Sequence, residues 1–166
     1  MSLIESRLET PVGALFLVEN DQALVALGFL NHREPLIGRV RRRFGAAPAE
    51  GRTRSADRVA AYLDGDLCAL AELQVDPGGT PFQQRVWAAL RRIPVGTTAS
   101  YGEIARTLGA PAAVRAVGAA NGQNPISLVI PCHRVIRSDG ALCGYAGGVE
   151  RKRWLLRHEG IAIASS

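Results

Sequence analysis

Apolar residues cluster at strand spacing from Ala14 to Val18 and from Ala23 to Phe29, and the polar stretch Glu19-Asn20-Asp21-Gln22 between them predicts a hairpin. Leu3 to Glu9 supplies a further strand ahead of the turn Thr10-Pro11-Val12-Gly13. Leu36, Val40 and Phe44 then recur every four residues with arginines between them, and Val59, Tyr62 and Leu63 keep a helical period that stops at Gly65. This half reads as a small sheet with two helices.

Beyond the proline- and glycine-rich stretch Asp76-Pro77-Gly78-Gly79-Thr80-Pro81 the signals turn helical. Thr80 with Gln83, and Ser100 with Glu103, each fit a capping box, in which a hydroxyl and an acceptor three residues on satisfy orphan amides at a helix start. The first helix carries Phe82, Val86, Ala89 or Leu90, and Ile93 on one face and stops at Pro94; the second runs from Tyr101 to Leu108 and stops at Gly109. A third begins at Pro111 and ends near Asn121-Gly122, and the short turn Gly109-Ala110 makes the last two a helix-turn-helix. The run from Ile126 to Ile130, polar only at Ser127, predicts a buried strand. A second strand through Val135 and Ile136, a turn at Ser138-Asp139-Gly140 and a last helix through Trp154, Leu155 and Leu156 follow. Strands after a helix-turn-helix make a winged variant. The expected fold class is α+β, with a small N-terminal α/β domain over 1–76, a linker over 77–81 and a winged helix-turn-helix domain over 82–166.

The 166 residues, 47% hydrophobic and 21% charged, have a globular composition. No apolar stretch approaches the roughly 18 residues that cross a bilayer, and no basic flank precedes an apolar block at the start of the chain. A cytoplasmic protein without a membrane partner is expected. Cys68, Cys132 and Cys143 are too few and too irregularly spaced for a disulfide framework or a zinc site, so no metal is expected. Charge is uneven: residues 1–80 hold 9 Arg against 11 acids, and residues 81–166 hold 11 Arg and Lys against 4 acids. The basic second half points to a polyanion such as nucleic acid; an arginine-rich composition is the other explanation. Arg41-Arg42-Arg43 reads as a solvated helix face.

Pro131-Cys132-His133-Arg134-Val135 carries the candidate chemistry. A thiolate is the nucleophilic form of cysteine, and a free thiol with pKa about 8.5 is only a few per cent ionised at neutral pH. Lowering that value by about 1.5 units takes roughly 2 kcal/mol, which one imidazole could supply. His133 is the nearest candidate. Adjacent strand residues point to opposite faces, so the backbone must leave strand geometry here, and Pro131, with its fixed φ and missing donor, allows that. The alternative is an inert buried thiol; a Cys-His hydrolase would lack an evident oxyanion loop.

The ordered blocks Pro81-Phe82-Gln83, Ser100-Tyr101-Gly102, Arg115-Ala116-Val117-Gly118, Asn124-Pro125, Ile130 to Val135 and Gly144-Tyr145-Ala146-Gly147-Gly148 resemble the O6-alkylguanine-DNA alkyltransferases, also called methylated-DNA-protein-cysteine methyltransferases. The resemblance is close over residues 80 to 160. In the N-terminal half it extends to size and layout, implying an RNase H-like domain there. It implies that Cys132 takes an alkyl group from O6 of guanine in double-stranded DNA in one in-line displacement and keeps it, so that the protein acts once and needs no cofactor. O4-alkylthymine as a substrate, the range of alkyl groups and cooperativity on DNA stay open; a monomer is expected. His133 would be the base, Glu159 would orient it through a water, Tyr101 would protonate the departing guanine, and Asn124 would brace the active-site backbone.

Tyr145, Gly147 and Gly148 would line the base pocket, and Arg115 would fill the space left by a flipped nucleotide. Gly102, Ala110, Ala116 and Ser138 complete the DNA-contacting set that the resemblance implies. The small residues Ala112, Ala113, Ala116, Gly118 and Ala119 would let their helix approach a minor groove, or else pack tightly on another helix. Arg134 and Lys152 have counterparts near the active site and read as structural. Ala146 stands where some relatives carry a hydroxyl; Cys68 reads as a core residue, and Cys143 lies near the pocket loop. A non-catalytic winged-helix lesion sensor is the rival reading, disfavoured by Cys132 itself.

Overall fold

The computed structural model describes residues 2–142 and 144–163, so Cys143 lies outside the described residues. The chain forms two compact units, one of residues up to Gly78 with Pro125–Val129, the other of Gly79–Asn124 with the residues from Ile130 onward.

In the first unit, β1 (Ile4–Leu8), β2 (Leu15–Glu19), β3 (Leu24–Phe29) and β4 (Ala49–Glu50) form one sheet in the order β3-β2-β1-β4. Neighbours are antiparallel except β1 with β4, which are parallel. The predicted hairpin is present. Its turn is closed by the Asn20 side chain, whose Oδ1 accepts the amides of Gln22 and Ala23 at 2.8 Å each. Helix α1 (Arg33–Phe44) lays Ile37 and Val40 against Leu3, Phe16, Val18, Val25 and Ala26. Arg41 to Arg43 are exposed, and Arg43 pairs with Asp76 at 2.5 Å. Helix α2 (Ala56–Leu63) has its start held from a distance, because the Glu19 carboxylate accepts the amides of Arg54 and Ser55 at 2.8 and 2.7 Å.

The Ile126 to Ile130 strand is not formed. Ile126 makes a single bridge beside β3, where the Leu27 amide donates to the Pro125 carbonyl at 3.0 Å and the Ser127 amide to the Leu27 carbonyl at 2.9 Å. The chain then turns, with Leu128 at φ 70° and the Val129 amide on the Ser127 carbonyl. Ile126, Leu128, Val129 and Ile130 are all buried, so the apolar run reported burial correctly and extension wrongly.

In the second unit both capping boxes are formed. Thr80 opens α3 (Pro81–Arg91) with reciprocal bonds to Gln83 of 3.1 and 2.9 Å, and Ser100 opens α4 (Tyr101–Thr107) with bonds to Glu103 of 3.1 and 3.2 Å. The third helix, α5 (Val114–Gly122), starts three residues later than predicted: Pro111 sits in a turn closed by the Ala113 amide on the Ala110 carbonyl. Buried Trp87 ties α3 to α5 by donating from Nε1 to the Ala120 carbonyl at 2.8 Å. Two-residue strands β5 (Ala99–Ser100) and β6 (Val135–Ile136) pair in parallel, and α6 (Val149–His158) closes the unit with Lys152, Leu155 and Leu156 buried.

Candidate active site

Cys132, His133 and Arg134 form one turn of 3-10 helix; with no strand over 126–130, the backbone is already irregular before Pro131 and does not break from a strand there. Pro131 sits at φ −81°, ψ 66°, the Cys132 amide donates to the Ile130 carbonyl at 2.8 Å, and the Arg134 amide donates to the Pro131 carbonyl at 3.0 Å. A tight turn releases three consecutive side chains from the alternation that a strand would impose. All three are buried.

Glu159, just beyond α6, collects two of them. Its Oε2 lies 2.8 Å from His133 Nε2, a direct bond in place of the expected water bridge; both side chains are fully enclosed. Arg134 holds the same carboxylate with a fork, Nε to Oε1 at 2.8 Å and Nη2 to Oε2 at 3.0 Å, while its Nη1 donates to the Ile93 carbonyl at 2.7 Å. Lys152, with no exposed surface, donates from Nζ to the Val135 carbonyl at 2.5 Å. Asn124 Nδ2 donates to the Ile130 carbonyl at 2.7 Å, across the segment that precedes the cysteine.

A match to the family described as 6-O-methylguanine DNA methyltransferase, DNA binding domain, spans residues 81–161. The methylated-DNA--protein-cysteine methyltransferase of Salmonella typhimurium is 48% identical over 98% of this chain and 99% of its own. The crystal structure of Mycobacterium tuberculosis O6-methylguanine methyltransferase matches at 44% identity with a TM-score of 0.79, covering 95% of this chain and 92% of that one. The M. tuberculosis protein solved in complex with DNA matches at 43% and 0.80, over 94% and 92%. The chain belongs to the methylated-DNA-protein-cysteine methyltransferase family.

The electrostatics of this family member differ from the sequence expectation of a lowered thiol pKa. Burial pushes the Cys132 thiol above its ordinary value, and a hydrogen bond from the Asn124 side chain, the Lys152 charge and nearby backbone amides recover only part of that. Burial likewise pushes His133 below its ordinary value, opposed by Glu159 and reinforced by Arg134 and Lys152. At neutral pH the resting site therefore holds a thiol and a neutral imidazole. With Nε2–H donating to the Glu159 carboxylate, the lone pair is on Nδ1, which is buried and has no hydrogen-bond partner among the described residues.

The other predicted positions separate into two groups. Tyr101, partly buried at the start of α4, packs near Gly118 of α5 and reaches the loop ahead of α6: a Cβ added to Gly144, itself at φ 67°, would lie 3.2 Å from the Tyr101 hydroxyl. Tyr145 is buried in that loop, and Gly102, Ala110 and Gly147 are partly exposed. Arg115 and Ala116 on the first turn of α5, Ser138 in the turn after β6, and Ala146 are surface positions. Cys68 is exposed rather than part of the core, since Ala69 and Leu70 take the buried places in its turn.

Arg134 and Lys152, read as structural from the sequence, stand within this cluster. For Lys152 a signal was present: it shares the spacing 152, 155, 156, 159 with Leu155 and Leu156, the inward face of α6. A lysine on an apolar stripe must find a partner. No group of three or more His, Cys, Asp or Glu placed to hold a metal occurs among the described residues.

Proposed function

We propose that this protein repairs DNA by direct reversal, moving the alkyl group of O6-alkylguanine in duplex DNA onto Cys132 in a single turnover. The observation that carries the reading is the turn at Cys132–Arg134, which places a buried thiol and a buried imidazole on consecutive residues, with the imidazole Nε2 fixed by Glu159. In the reaction the thiol proton passes to His133 Nδ1 while Sγ attacks the alkyl carbon. The S–C bond forms as the C–O6 bond breaks, the electron pair leaves with the guanine, and Tyr101 supplies a proton to the departing base. Glu159 stabilises the imidazolium as it forms. The product is a stable thioether, which makes the protein a reagent used once. No cofactor enters the balance.

The reading extends to the whole chain: an RNase H-like domain over 1–76, a linker over 77–81 and a winged helix-turn-helix over 82–166, apart from Pro125–Val129, which belong to the first compact unit, and Pro81, which already opens α3. The second domain holds a flipped nucleotide through the minor groove. Arg115, exposed on α5, fills the vacated stack; the small side chains of that helix permit close approach, and Gly102, Ala110, Ala116, Ser138, Tyr145 and Gly147 contact the DNA or the lesion. The relative solved with DNA supports this reading. O4-alkylthymine is a second candidate substrate, and the protein acts as a cytoplasmic monomer able to bind DNA cooperatively. Among the described residues no helix is long and apolar enough to cross a membrane.

The test is incubation with duplex DNA carrying O6-methylguanine, followed by mass spectrometry. One methyl group on Cys132, with unmodified guanine restored and both lost in Cys132→Ala, is the expected result. DNA that is bound and returned unchanged would instead favour the lesion sensor. In Arg115→Ala, repair of duplex DNA should slow more than reaction with the free base.

A further inference from the structure

We infer that Arg134 is a positioning residue that sets the proton affinity of His133 by sharing the Glu159 carboxylate with it. This rests on the reading of His133 as the base for Cys132. Three observations carry it. Glu159 Oε2 accepts from both His133 Nε2 and Arg134 Nη2, so whatever holds one partner governs what the oxygen can offer the other. The second oxygen is taken by Arg134 Nε, which fixes the carboxylate plane and leaves it no freedom to turn wholly toward the imidazole. The guanidinium is itself held by the Ile93 carbonyl beyond α3, so the fork cannot swing away with Glu159.

The groups around His133 make the direction of the effect plain. α6 and the residue after it present Lys152 and Glu159, the turn following α3 presents the Ile93 carbonyl to Arg134, and the imidazole's own turn presents Cys132 and Arg134. One carboxylate against two buried cations leaves the neighbourhood without spare negative charge. A carboxylate facing His133 alone would hold a proton on the imidazole near neutral pH and occupy the nitrogen that must accept from the thiol. Burial favours the neutral imidazole first, and sharing with Arg134 adds to it while retaining the Nε2–H···carboxylate bond that selects the tautomer. Lysine at this position would preserve the charge but not the two-pronged geometry.

The experiment is an NMR titration of labelled histidine in the free protein, comparing wild type with Arg134→Gln and Arg134→Lys, beside the pH profile of methyl transfer to Cys132. The expected result is that His133 binds its proton about tenfold more tightly in Arg134→Gln, with a smaller change in the same direction in Arg134→Lys, and that the acid limb of transfer moves to higher pH in step. A His133 titration unmoved in either variant, with only stability reduced, would show Arg134 to be a structural strut and overturn the inference. If Arg134→Gln fails to fold, Arg134→Lys decides by the same readout. Because the titration uses no DNA, it stands apart from the transfer assay: a wild-type protein that leaves alkylated DNA untouched refutes the proposed reaction without altering the titration.

Discussion

Two arginine–carboxylate forks in this molecule have nearly the same geometry and opposite uses. In the first unit Arg33 grips Glu5 with Nε and Nη2 at 2.6 Å each, joining the start of α1 to β1. In the second, Arg134 grips Glu159 with the same two nitrogens at 2.8 and 3.0 Å. The Arg33 side chain is 20% exposed and has Glu34 as a second acceptor, so water and a spare carboxylate stand behind it. The Arg134 and Glu159 side chains are 9% and 0% exposed, and Glu159 carries an imidazole besides. An ion pair that borders solvent can only clamp. One that is enclosed with a titratable third member also fixes where a proton resides.

The largest contrast should come from breaking each fork at its acid. Glu159→Gln leaves Arg134 and Lys152 as buried cations without a counter-charge and leaves His133 and Arg134 to compete for one uncharged amide oxygen. Stability is expected to fall by about 3–5 kcal/mol, and methyl transfer at neutral pH to slow by about 10²-fold or more. Glu5→Gln leaves Arg33 access to water and to Glu34, so a cost of about 1–2 kcal/mol is expected, with transfer unchanged. Chemical denaturation and single-turnover kinetics on the two variants measure both. A Glu5 variant that slowed transfer as much as the Glu159 variant would erase the distinction.

These forks also show how much could be read in advance. Local features were legible: the hairpin through Asn20 and both capping boxes rest on interactions within a few residues. Cys132 and His133 declared themselves by adjacency. The fork at Glu159 did not, because Arg134 and Glu159 are 25 residues apart and only the packing of α6 on the Cys132 turn brings them together. The stretch 126–130 misled for a different reason: apolar content reports burial, while the chain there makes a single bridge to β3 at Ile126 and then turns through the left-handed Leu128. The raised thiol follows from burial, which the adjacency of Cys132 and His133 did not reveal.

A second contrast is in pH. Because folded His133 is held below the ordinary value of about 6.5, acidification through that point protonates the unfolded chain first, and stability falls until the folded imidazole takes its own proton. Cys132 is held above the ordinary thiol value, so alkalinisation through that value ionises the unfolded thiol first, and stability falls again. Between those limits neither group contributes a slope. Each limb should reach at most about 1.4 kcal/mol per pH unit. Denaturation midpoints compared with Cys132→Ser, which cannot titrate there, should lose the alkaline limb and keep the acid one. Persistence of the full alkaline limb in that variant would mean that the thiol is not the buried, protonated group described.

The smallest effect tests whether the fork matters where it borders solvent. Arg33→Lys keeps the charge beside Glu5 and gives up one of two parallel bonds. With the ammonium able to reach water, the loss should stay under about 1 kcal/mol, and transfer to Cys132 should proceed at the wild-type rate. At Arg134 the same change has no solvent to fall back on: the Ile93 carbonyl, Glu159 Oε1 and Glu159 Oε2 would compete for a single ammonium whose donors are not set in a plane. The ratio of the two arginine-to-lysine costs, measured in one buffer by denaturant midpoint, therefore isolates enclosure from charge. A ratio near one would place the difference between the forks in the imidazole alone.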